Sequence, residues 1–473
     1  MSKGLSVSKS DDFSSWYAEV IQKAELIEHT DVSGCMILRP GSYAIWESLQ
    51  KFLDGEFKSR GVENAYFPLL IPEHLLTKEA DHVEGFAPEV AWVTQAGDSD
   101  LNERLAIRPT SETVMYDAYK KWVRSHRDLP LKLNQWVNVV RWEFKHPRPF
   151  LRTREFLWQE GHTAFATKEE ALEEVYDILS VYKQAYEELL AVPVLAGEKS
   201  VAERFAGADM TLSLEALFPD GKAIQACTSH YLGTNFSEAF GIQYMSEDST
   251  NEFVHQNSWG FTTRSIGVMI GVHGDDKGLV LPPRVAPTPV VVVPIVFANK
   301  PDVSKKVLEA ATKLCEEHGW RLDDRDGYSP GHKFSEHELK GVPVRIEIGP
   351  RDLEEEQVVV ARRDTSEKEF VPIAKAGDFV EQLLVDIQDS LFAKAKKYLE
   401  EHIRDVSSVE ELQEVVDEGF IARADWCASA ESEKRLKEST GAKSLISAGE
   451  PQGTACFESG DEPLKSYYFG RSY

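Results

Sequence analysis

Five polar or aromatic side chains fall at even-numbered positions of one short stretch, RPFLRTREFLWQEGHTAF (148–165), namely Arg152, Arg154, Trp158, Glu160 and His162. A β-strand sends every second side chain to the same face, so a strand here would gather all five on one surface. Two cations, an indole, a carboxylate and an imidazole are costly to bury without partners. Arginine binds phosphate and carboxylate groups through paired hydrogen bonds and stays charged. The stretch therefore predicts a polar binding site.

Two further arginines extend this pattern. The β-rich run LNQWVNVVRWEF (133–144) precedes the loop KHPRP, so it predicts an antiparallel hairpin with the stretch above, in which Arg141 and Glu143 share a face. The segment NSWGFTTRSIGVMIGVHGDDKG (257–278) predicts the end of a strand followed by a helix, with Arg264 in its first turn. Backbone N–H groups at that end of a helix favour an anion, which suits a phosphate.

The elements that must position these side chains begin with residues 39–72. This segment starts as an amphipathic helix, with apolar residues at helical spacing at Ile45, Leu49, Leu53 and Phe57. The chain then turns at Gly61 into a short aromatic strand that stops at Pro68. Proline has no N–H for the ladder, so this strand suits a sheet edge. Two such edges could meet in a dimer, although a plain sheet terminus accounts for the pattern equally well.

The rest of the chain divides at a linker. Before it, a capping box from Thr167 to Glu170 predicts a helix, and residues 223–233 predict a strand. The prolines of LVLPPRVAPTP mark the linker, after which the apolar run VVVVPIV and a helix from about Ser304 to Gly319 predict an α/β domain of about 100 residues with a parallel or mixed sheet. From about Asp386 an acidic helical segment leads into a Gly- and Ser-rich end.

Composition excludes several classes of protein. The chain has 473 residues, 42% of them hydrophobic, which is typical of a soluble globular protein of two to four domains. Its formal net charge of −26 argues against non-specific binding of polyanions, although a local basic track could still bind nucleic acid. No apolar run reaches the roughly 18 residues that span a bilayer, and no leader pattern is present, so we expect a cytoplasmic protein without a membrane partner. Scattered cysteines without a CxxC pair predict reduced thiols at Cys35, Cys227, Cys315, Cys427 and Cys456.

Taken in order, these segments resemble a known enzyme family. Motifs 1, 2 and 3 of class II aminoacyl-tRNA synthetases are similar to the segment ending in Pro68, the segment around Arg141 and Glu143, and the segment around Gly260 and Arg264. More narrowly, RPTSE, VVRWEF, FLRTREFLWQEGH, TSHYLG, NSWG, HGDDKGLVLPPR, PGHKF and ELKGVP resemble, in order and spacing, prolyl-tRNA synthetases of the archaeal and eukaryotic-like type. The resemblance covers nearly the whole chain.

The resemblance implies a multidomain fold of mixed α/β and α+β class. Residues 1–285 would form the class II catalytic domain, an antiparallel sheet flanked by helices that contains motifs 1, 2 and 3. Residues 286–385 would form an α/β anticodon-binding domain, and residues 386–473 a small α+β C-terminal domain. A homodimer through motif 1 is implied. The implied activity uses ATP and Mg²⁺ to convert L-proline to prolyl-adenylate with release of pyrophosphate, and then transfers proline to tRNA(Pro).

The family pattern also implies which residues form each site. Catalysis would involve Arg141, Arg152, Arg264 and Glu143. ATP would contact Arg141, Arg152, Phe156, Gln225, Thr228, Thr262 and Arg264. Proline would contact Thr110, Glu112, Arg141, Trp158, Glu160, His162, Phe205, His230 and Ser258, with Ser229 nearby. Within these sets, Arg141 would bridge the α-phosphate and the proline carboxylate, and Thr110 and Glu112 would bind the ammonium. The even face of 148–165 would then hold proline and ATP side by side.

For the tRNA, the resemblance implies anticodon contacts from Lys333, Glu338, Lys340 and Arg345. Glu338 and Arg345 would read the two guanines shared by proline anticodons. The chain departs from many relatives in the C-terminal domain, where Ser432 and Ser459 stand in place of two of four zinc-binding cysteines. Two ligands cannot close a thiolate site, so we predict that zinc is absent and that no metal site is present.

Two further departures concern the catalytic domain. The interval between motifs 2 and 3 is too short for the editing insertion of many bacterial relatives, so mischarged alanine would need a separate protein to clear it. Cys227 stands beside the ATP site where several relatives have glycine. We expect a tolerated neighbour of the nucleotide, with a reactive thiol as the alternative.

Blander interpretations remain open for individual residues and for the chain. Each arginine could belong to a surface ion pair, His162 could be a core histidine bonded to backbone, and the lysines could lie on a solvated helix face. The chain could be a catalytically silent tRNA-binding regulator, an amino-acid ligase that does not use tRNA, or a class II enzyme for another amino acid such as threonine. The presence of Arg141 and Arg264 argues against the silent regulator, and the presence of the third domain argues against a ligase that does not use tRNA. The lack of a zinc-binding His and Cys set argues against an enzyme for threonine.

Overall fold

The structure is a computed structural model that describes residues 4–80, 89–143 and 146–473. Phe144 and Lys145, which belong to the predicted hairpin and its loop, lie outside the described residues. Within residues 4–285, the helices are Phe13–Lys23, Pro40–Ser59, Glu73–Ala80, Glu112–Trp122, His126–Asp128, Lys168–Gln184, Ala185–Leu189, Asn235–Phe240 and Arg264–His273. The strands of the same part are Ile27–His29, Met36–Leu38, Glu63–Asn64, Leu70–Pro72, Trp92–Ala96, Ser99–Ile107, Leu131–Val140, Glu155–Phe165, Leu195–Glu198, Met210–Leu217, Lys222–Gly233, Gln243–Met245, Asn251–Phe253 and His255–Thr262.

A large, mainly antiparallel sheet organises the catalytic part. Its central path runs, strand by strand, through Lys222–Gly233, His255–Thr262, Glu155–Phe165, Leu131–Val140 and Glu63–Asn64. Leu131–Val140 and Glu155–Phe165 pair antiparallel, which confirms the predicted hairpin. The predicted strand at 223–233 is likewise present, with one residue more at its start.

The helix Pro40–Ser59 covers the back of this sheet. Proline at its first turn fits a position where the N–H would have no partner. The four apolar residues singled out in the sequence are buried as predicted. One of them, Phe57, has its ring 4.9 Å from that of Trp259 on the strand His255–Thr262. The sheet therefore has a hydrophobic back and leaves its other face available for chemistry.

Two predicted strands are shorter than expected. The stretch 148–165 becomes a strand only at Glu155, because residues before it close a turn in which Arg148 and Arg152 pair with each other. The aromatic strand expected to run to Pro68 is reduced to Glu63–Asn64, which lies at the sheet edge. It ends early because the Phe67 N–H donates to a side chain of the neighbouring strand instead of to its backbone.

Two helix predictions are confirmed in detail. Thr167 and Glu170 form a capping box at the start of Lys168–Gln184, each side chain accepting from the other's backbone N–H. Arg264 is the first residue of Arg264–His273, directly after the strand His255–Thr262. Its guanidinium is thereby held at the edge of the sheet face that carries the even-numbered residues.

The α/β domain after the linker contains a five-stranded mixed sheet within the described part of the chain. Its strands are Val290–Pro294, Arg321–Leu322, Val344–Ile348, Gln357–Arg362 and Lys368–Pro372, and its helices are Pro301–His318, Pro330–Leu339, Pro350–Glu354 and the single turn Ile373–Lys375. Val290–Pro294 pairs parallel with Val344–Ile348, and all its residues are buried. This confirms the mixed sheet and the helix predicted near Ser304.

One long helix, Ala376–Glu401, follows this domain, and the predicted boundary between residues 385 and 386 falls inside it. The remaining elements are Ile403–Asp405, Val409–Asp417, Ile421–Trp426, Ala430–Thr440, Lys443–Gly449 and Lys465–Ser472. The last strand pairs parallel with the catalytic strand Lys222–Gly233, so the C-terminal strands extend the central sheet. None of the helices in the described ranges is both long and apolar enough to cross a membrane.

Candidate active site

The register of the central sheet sets predicted site residues in rows. Ser258 lies opposite His162 on one side and His230 on the other. The next row places Glu160 opposite Gly260. Side chains of one row on neighbouring antiparallel strands are close enough to act together. The alternating residues of neighbouring strands therefore lie side by side on one face of the sheet.

This face lines a cavity of about 330 Å³. The cavity brings together fifteen of the residues predicted for ATP and proline: Thr110, Glu112, Arg141, Arg152, Phe156, Trp158, Glu160, His162, Phe205, Gln225, Thr228, His230, Ser258, Thr262 and Arg264. These residues come from distant parts of the chain, and the sheet register gathers them. A cavity of this size with polar and aromatic walls suits a small ligand.

One end of the cavity is strongly cationic. Arg141 and Arg264 donate to backbone carbonyls, Arg141 Nε to Pro109 O at 3.0 Å and Arg264 Nη1 to Gln225 O at 3.0 Å. Neither guanidinium lies within 4 Å of a carboxylate among the described residues. Burial lowers the pKa of Arg264, and the nearby Arg141 and Arg152 lower it further. Three arginines that converge on one end of a cavity form a site suited to a polyanion.

Aromatic rings flank these cations. The Arg141 guanidinium carbon lies 5.7 Å from the Phe156 ring centre and 5.4 Å from that of Trp158. Both distances fall within the range of cation–π attraction. The two rings meet edge to face at 6.1 Å. This arrangement gives the cationic end flat apolar walls beside its charges, which suits a heteroaromatic base attached to phosphates.

A buried hydrogen-bond network forms the opposite end. Glu160, 2% exposed, accepts from Gln135 Nε2 at 2.6 Å, from Ser111 N at 3.2 Å and from the Ser111 hydroxyl. His162 Nε2 lies 3.1 Å from the same carboxylate, and its other ring nitrogen lies 3.1 Å from the Tyr116 hydroxyl. A buried carboxylate with this many donors is held in one position.

The protonation of this pair follows from its contacts. Burial acts to raise the pKa of Glu160, but hydrogen bonds from His162, Ser111 and Gln135 outweigh it and leave that pKa below its ordinary value. Burial acts to lower the pKa of His162, but the Glu160 and Glu112 carboxylates outweigh it and the pKa is raised. The contacts within this pair thus favour the protonated imidazole and the ionised carboxylate. The alternative of a core histidine bonded to backbone through its ring does not apply, because both ring nitrogens contact side chains.

Thr110, Glu112 and His230 complete this end. Thr110 and Glu112 are 5% and 4% exposed, and the threonine hydroxyl donates to the glutamate. Burial lowers the pKa of His230 to about 3, so its ring is neutral, with Nδ1 at 2.9 Å from the Thr211 hydroxyl. The Phe205 ring packs against this ring in a tilted arrangement, with 4.7 Å between centres. The result is a small pocket with one anionic wall and aromatic sides.

Two polar atoms of the pocket have no hydrogen-bond partner within the described parts of the protein, Trp158 Nε1 and Ser258 Oγ. Buried polar groups in folded proteins are nearly always satisfied. Both residues line the cavity. They are therefore available to a polar ligand in the cavity.

Three residues of the sequence prediction lie elsewhere. Glu143 is exposed and does not line the cavity, although Arg141, two residues before it, does. Arg154 precedes the second hairpin strand and donates to Ser33 O at 3.1 Å, with its guanidinium over the Trp142 ring. Ser229 is buried between two cavity-lining neighbours, but it points to the opposite face of the sheet. Four of the five even-numbered residues therefore line the cavity, Trp158, Glu160 and His162 from the strand and Arg152 from the turn before it.

Sequence reasoning missed three members of the buried network: Ser111, Gln135 and Tyr116. Ser111 lies inside the quoted string RPTSE without having been assigned a role. Gln135 is directly opposite Glu160 in the hairpin, so the register would have identified it. Tyr116 follows Glu112 by four residues on one helix, which puts both on the same side.

Two clusters have donor atoms close enough to hold a metal ion. Glu112, Glu160 and His162 lie within 4.8 Å of one another, and so do Cys427, Cys456 and Glu458. In the first cluster all three side chains already have hydrogen-bond partners within the protein, Glu112 with Thr110, Glu160 with Ser111 and His162 with Tyr116. In the second, the Glu458 carboxylate already pairs with Arg435 Nε at 2.7 Å.

The predicted anticodon residue Lys333 has a different position from the one expected. It is 4% exposed, and its ammonium donates to Asp323 O at 2.9 Å. His337 lies on the same helix as Lys333, and its Nε2 is 2.8 Å from the Asp323 carboxylate. Lys333 therefore stabilises the domain interior, and this burial does not support its assignment as a tRNA contact.

Glu338 and Lys340 form ion pairs with the catalytic part of the chain. Glu338 meets Lys277 Nζ at 3.2 Å, and the Lys340 ammonium meets Glu25 at 2.8 Å. The fourth predicted residue, Arg345, is held by Glu347 at 2.9 Å. All three charges lie at a surface where they are partly exposed, in contrast to Lys333.

Comparison with known proteins decides between the remaining classes. Residues 92–273 match the tRNA synthetase class II core domain (G, H, P, S and T), residues 289–383 an anticodon binding domain, and residues 409–473 the C-terminal domain of prolyl-tRNA synthetase. The chain is 52% identical over 484 residues to the cytoplasmic proline--tRNA ligase of Arabidopsis thaliana, covering 99% of this chain and 91% of that protein. The chain belongs to the prolyl-tRNA synthetase family.

Other members of the family are also similar to this chain over nearly its whole length. The proline--tRNA ligase of Clostridium novyi is 50% identical, over 98% of this chain and 97% of its own length. The bifunctional glutamate/proline--tRNA ligase of Mus musculus is 51% identical over 99% of this chain but only 33% of its own length. The crystal structure of prolyl-tRNA synthetase from Cryptosporidium parvum, complexed with halofuginone and AMPPNP, superposes with a TM-score of 0.94 at 47% identity, covering 100% of both chains. The family and the fold class predicted from the motifs are confirmed.

Proposed function

We propose that this member of the prolyl-tRNA synthetase family is an ATP-dependent, AMP-forming proline--tRNA ligase that uses the cavity described above. The observation that carries the proposal is the pairing, in one cavity, of a cationic end flanked by aromatic rings with a small buried end of opposite charge. An ATP analogue is bound in the Cryptosporidium parvum relative, which supports ATP as the ligand of the cationic end.

At the cationic end, Phe156 and Arg264 are proposed to hold adenine between them. Arg152 would bind the outer phosphates, and Gln225, Thr228 and Thr262 would hold the rest of the nucleotide. The Thr262 hydroxyl accepts from the Arg264 backbone N–H at 3.1 Å, so the helix start and the strand end are fixed relative to each other. Mg²⁺ would be a phosphate-bound ion that neutralises part of the triphosphate charge, and no residue of this chain is assigned to it.

At the buried end, proline would bind with its ammonium toward Thr110 and Glu112. Trp158, Phe205 and His230 would pack around the ring, while Glu160 and His162 keep RPTSE in place through Ser111. Ser258 could supply an additional hydroxyl. A smaller amino acid would lose apolar contacts, whereas one without a matching ammonium would leave a buried carboxylate unpaired, which discriminates more strongly.

The first step joins two anions. A carboxylate oxygen of proline attacks the α-phosphorus of ATP, the bond to the bridging oxygen breaks, and pyrophosphate leaves. Arg141 lies beside both Phe156 and Trp158, and it would bind both the proline carboxylate and the α-phosphate and hold them in line. No general base is needed, since the carboxylate is already ionised at neutral pH. In the second step a ribose hydroxyl of tRNA attacks the carbonyl carbon, and AMP leaves.

Three of the four predicted tRNA contacts are kept in this proposal. Glu338, Lys340 and Arg345 remain proposed anticodon contacts, since they are partly exposed on the domain that matches an anticodon binding domain. Guanine edges offer donors to a carboxylate and acceptors to a guanidinium, which suits Glu338 and Arg345. The ion pairs of Glu338 and Lys340 with Lys277 and Glu25 would have to open or rearrange when RNA binds.

Homodimerisation through motif 1 also belongs to the proposal. The edge strand Glu63–Asn64 is followed by Tyr66, which is 73% exposed, and Trp122 nearby is 50% exposed. Large exposed apolar side chains beside an open sheet edge favour a partner there. Light scattering coupled to gel filtration would give the mass of a dimer, and the mass of one chain would refute this part.

The test of the main proposal is exchange of labelled pyrophosphate into ATP without tRNA, with proline, alanine, cysteine and threonine compared. Proline should support the fastest exchange. Arg264→Ala should slow exchange by about 100-fold or more, the usual cost of removing one charged transition-state contact. Arg284→Ala is the matched control, because Arg284 is about half exposed and lies outside the cavity. Folded protein without exchange for any amino acid would refute the enzymatic proposal.

A further inference from the structure

We propose that Glu433, in the C-terminal part of the chain, is a positioning residue for the proline end of the active site. It acts through the loop of residues 199–209, which connects the catalytic strands Leu195–Glu198 and Met210–Leu217. The inference rests on the proposed function, since it assigns the cavity beside this loop to proline. Glu433 itself does not line the cavity.

The 199–209 loop forms one side of the pocket. Glu203 and Phe205 both line the cavity, and the Phe205 ring lies 4.7 Å from that of His230. The Phe205 backbone N–H donates to the Thr211 hydroxyl at 3.0 Å. The end of the loop that follows Phe205 is therefore fixed by the catalytic sheet itself.

The beginning of the loop is held by the C-terminal part. The Ser200 hydroxyl lies 2.9 Å and 2.8 Å from the two carboxylate oxygens of Glu433, to which it donates. The same hydroxyl oxygen accepts from the Glu203 backbone N–H at 3.3 Å. Ser444, on the strand Lys443–Gly449, also donates to Glu433 and lies 3.2 Å from Ser200 Oγ. A chain of hydrogen bonds thus leads from Glu433 to the backbone of a cavity-lining residue.

The chemistry of a hydroxyl explains why the carboxylate matters. A serine has one rotatable O–H and can donate only in one direction at a time. When Glu433 takes that hydrogen, the lone pairs of Ser200 are left to face the Glu203 N–H. All three network residues are buried, with Ser200 1%, Ser444 4% and Glu433 7% exposed. Water cannot easily take over the role of the carboxylate at such a site.

Other contacts keep the two parts of the chain together when this one is removed. The Glu198 N–H donates to the Ser447 hydroxyl at 2.9 Å, and Lys465 pairs with Glu198 at 2.7 Å. These contacts lie at the end of the strand that precedes the loop. Loss of the Glu433 carboxylate should therefore free the loop without releasing the C-terminal strands from the sheet.

The test compares Glu433→Ala with Glu431→Ala, an exposed residue of the same helix, in pyrophosphate exchange. We expect the KM for proline to rise about tenfold or more in Glu433→Ala, the factor for losing one hydrogen bond to a charged group. The KM for ATP should change less than about twofold, and Glu433→Gln should restore part of the effect. Ser200→Ala should resemble Glu433→Ala, and the double variant should be no worse than either, since both remove the same contact.

Hydrogen exchange detected by mass spectrometry gives a second readout that does not need activity. Peptides covering 199–209 should exchange faster in Glu433→Ala and not in Glu431→Ala. Wild-type protein without proline-dependent exchange of pyrophosphate would refute the proposed function, while this readout would still test the link between Glu433 and the loop. An unchanged KM for proline, a parallel rise in the KM for ATP, or unchanged exchange of the loop would overturn the inference. If Glu433→Ala does not fold, Ser200→Ala carries the same comparison, because it removes the same contact from the other side.

Discussion

Replacing Glu112 by glutamine separates binding of the proline ammonium from the chemistry of adenylate formation. Glu112 is 4% exposed and accepts from the Thr110 hydroxyl. A glutamine has the same shape, and its amide oxygen can still accept from Thr110, so the fold should be nearly unaffected. What is lost is one negative charge at a position where water does not screen it.

The magnitude follows from that loss. A hydrogen bond between charged groups contributes about 1.5–3 kcal/mol, which corresponds to a factor of about 10 to 150 in affinity. The ammonium takes no part in the bond changes of adenylate formation, so the contact is the same in the bound substrate and in the transition state. We therefore expect Glu112→Gln to raise the KM for proline by that factor with kcat unchanged.

Pyrophosphate exchange at varied proline and varied ATP measures both constants. The KM for ATP should stay within about twofold of the wild-type value, since the arginines lie at the other end of the cavity. Glu173→Gln is the matched control, because Glu173 is exposed on the helix Lys168–Gln184 and outside the cavity. A lower kcat at unchanged KM for proline, or equal increases for both substrates, would refute the assignment of the ammonium site.

Four further outcomes are expected. Glu160→Gln should lower the free energy of urea unfolding by about 1–3 kcal/mol, because a glutamine amide would point its own hydrogens at a donor such as Gln135. The pKa of His162 is raised above 6.5 and that of Glu160 is lowered below 4.5, so the stability that this pair contributes is complete between pH 4.5 and pH 6.5. That contribution is lost as pH rises through the pKa of His162. The difference in unfolding temperature between wild type and His162→Gln should therefore shrink at alkaline pH. N-ethylmaleimide should label Cys227 only after unfolding, as judged by peptide mass, because burial raises its pKa well above the ordinary value. A chelator should leave the unfolding temperature unchanged, and zinc analysis should find far less than one ion per chain, because Arg435 and Ser432 already occupy the Glu458 carboxylate.

Much of the site could be predicted from the sequence because it depends on local periodicity. The hairpin, the helix after Arg264, and the placement of Trp158, Glu160 and His162 on one face all follow from spacing along a single element. The motif strings then identified residues on distant strands that no local pattern could have joined.

The remaining features depend on contacts between residues far apart in the chain. Ser111 and Gln135 hold Glu160 from 49 and 25 positions away, and their roles follow only from the register of the sheet. Arg154 was misplaced because alternation predicts a face only once the start of the strand is known. Lys333 was misplaced because a helical lysine next to a buried aspartate turns inward, which the helix pattern alone does not reveal.

The long helix Ala376–Glu401 has a mechanical consequence. Its first half contributes Val380, Leu383 and Ile387 to the core of the anticodon-binding region, and Leu399 near its end packs with Ala223 of the catalytic sheet. At 1.5 Å per residue the helix is about 39 Å long, and its backbone hydrogen bonds resist bending along that length. A flexible linker would absorb a rotation of the first region, but a continuous helix delivers it as a displacement at the far end. That end lies against the strand that carries Gln225, Thr228 and His230, so one helix connects the core of the anticodon-binding region to a wall of the cavity.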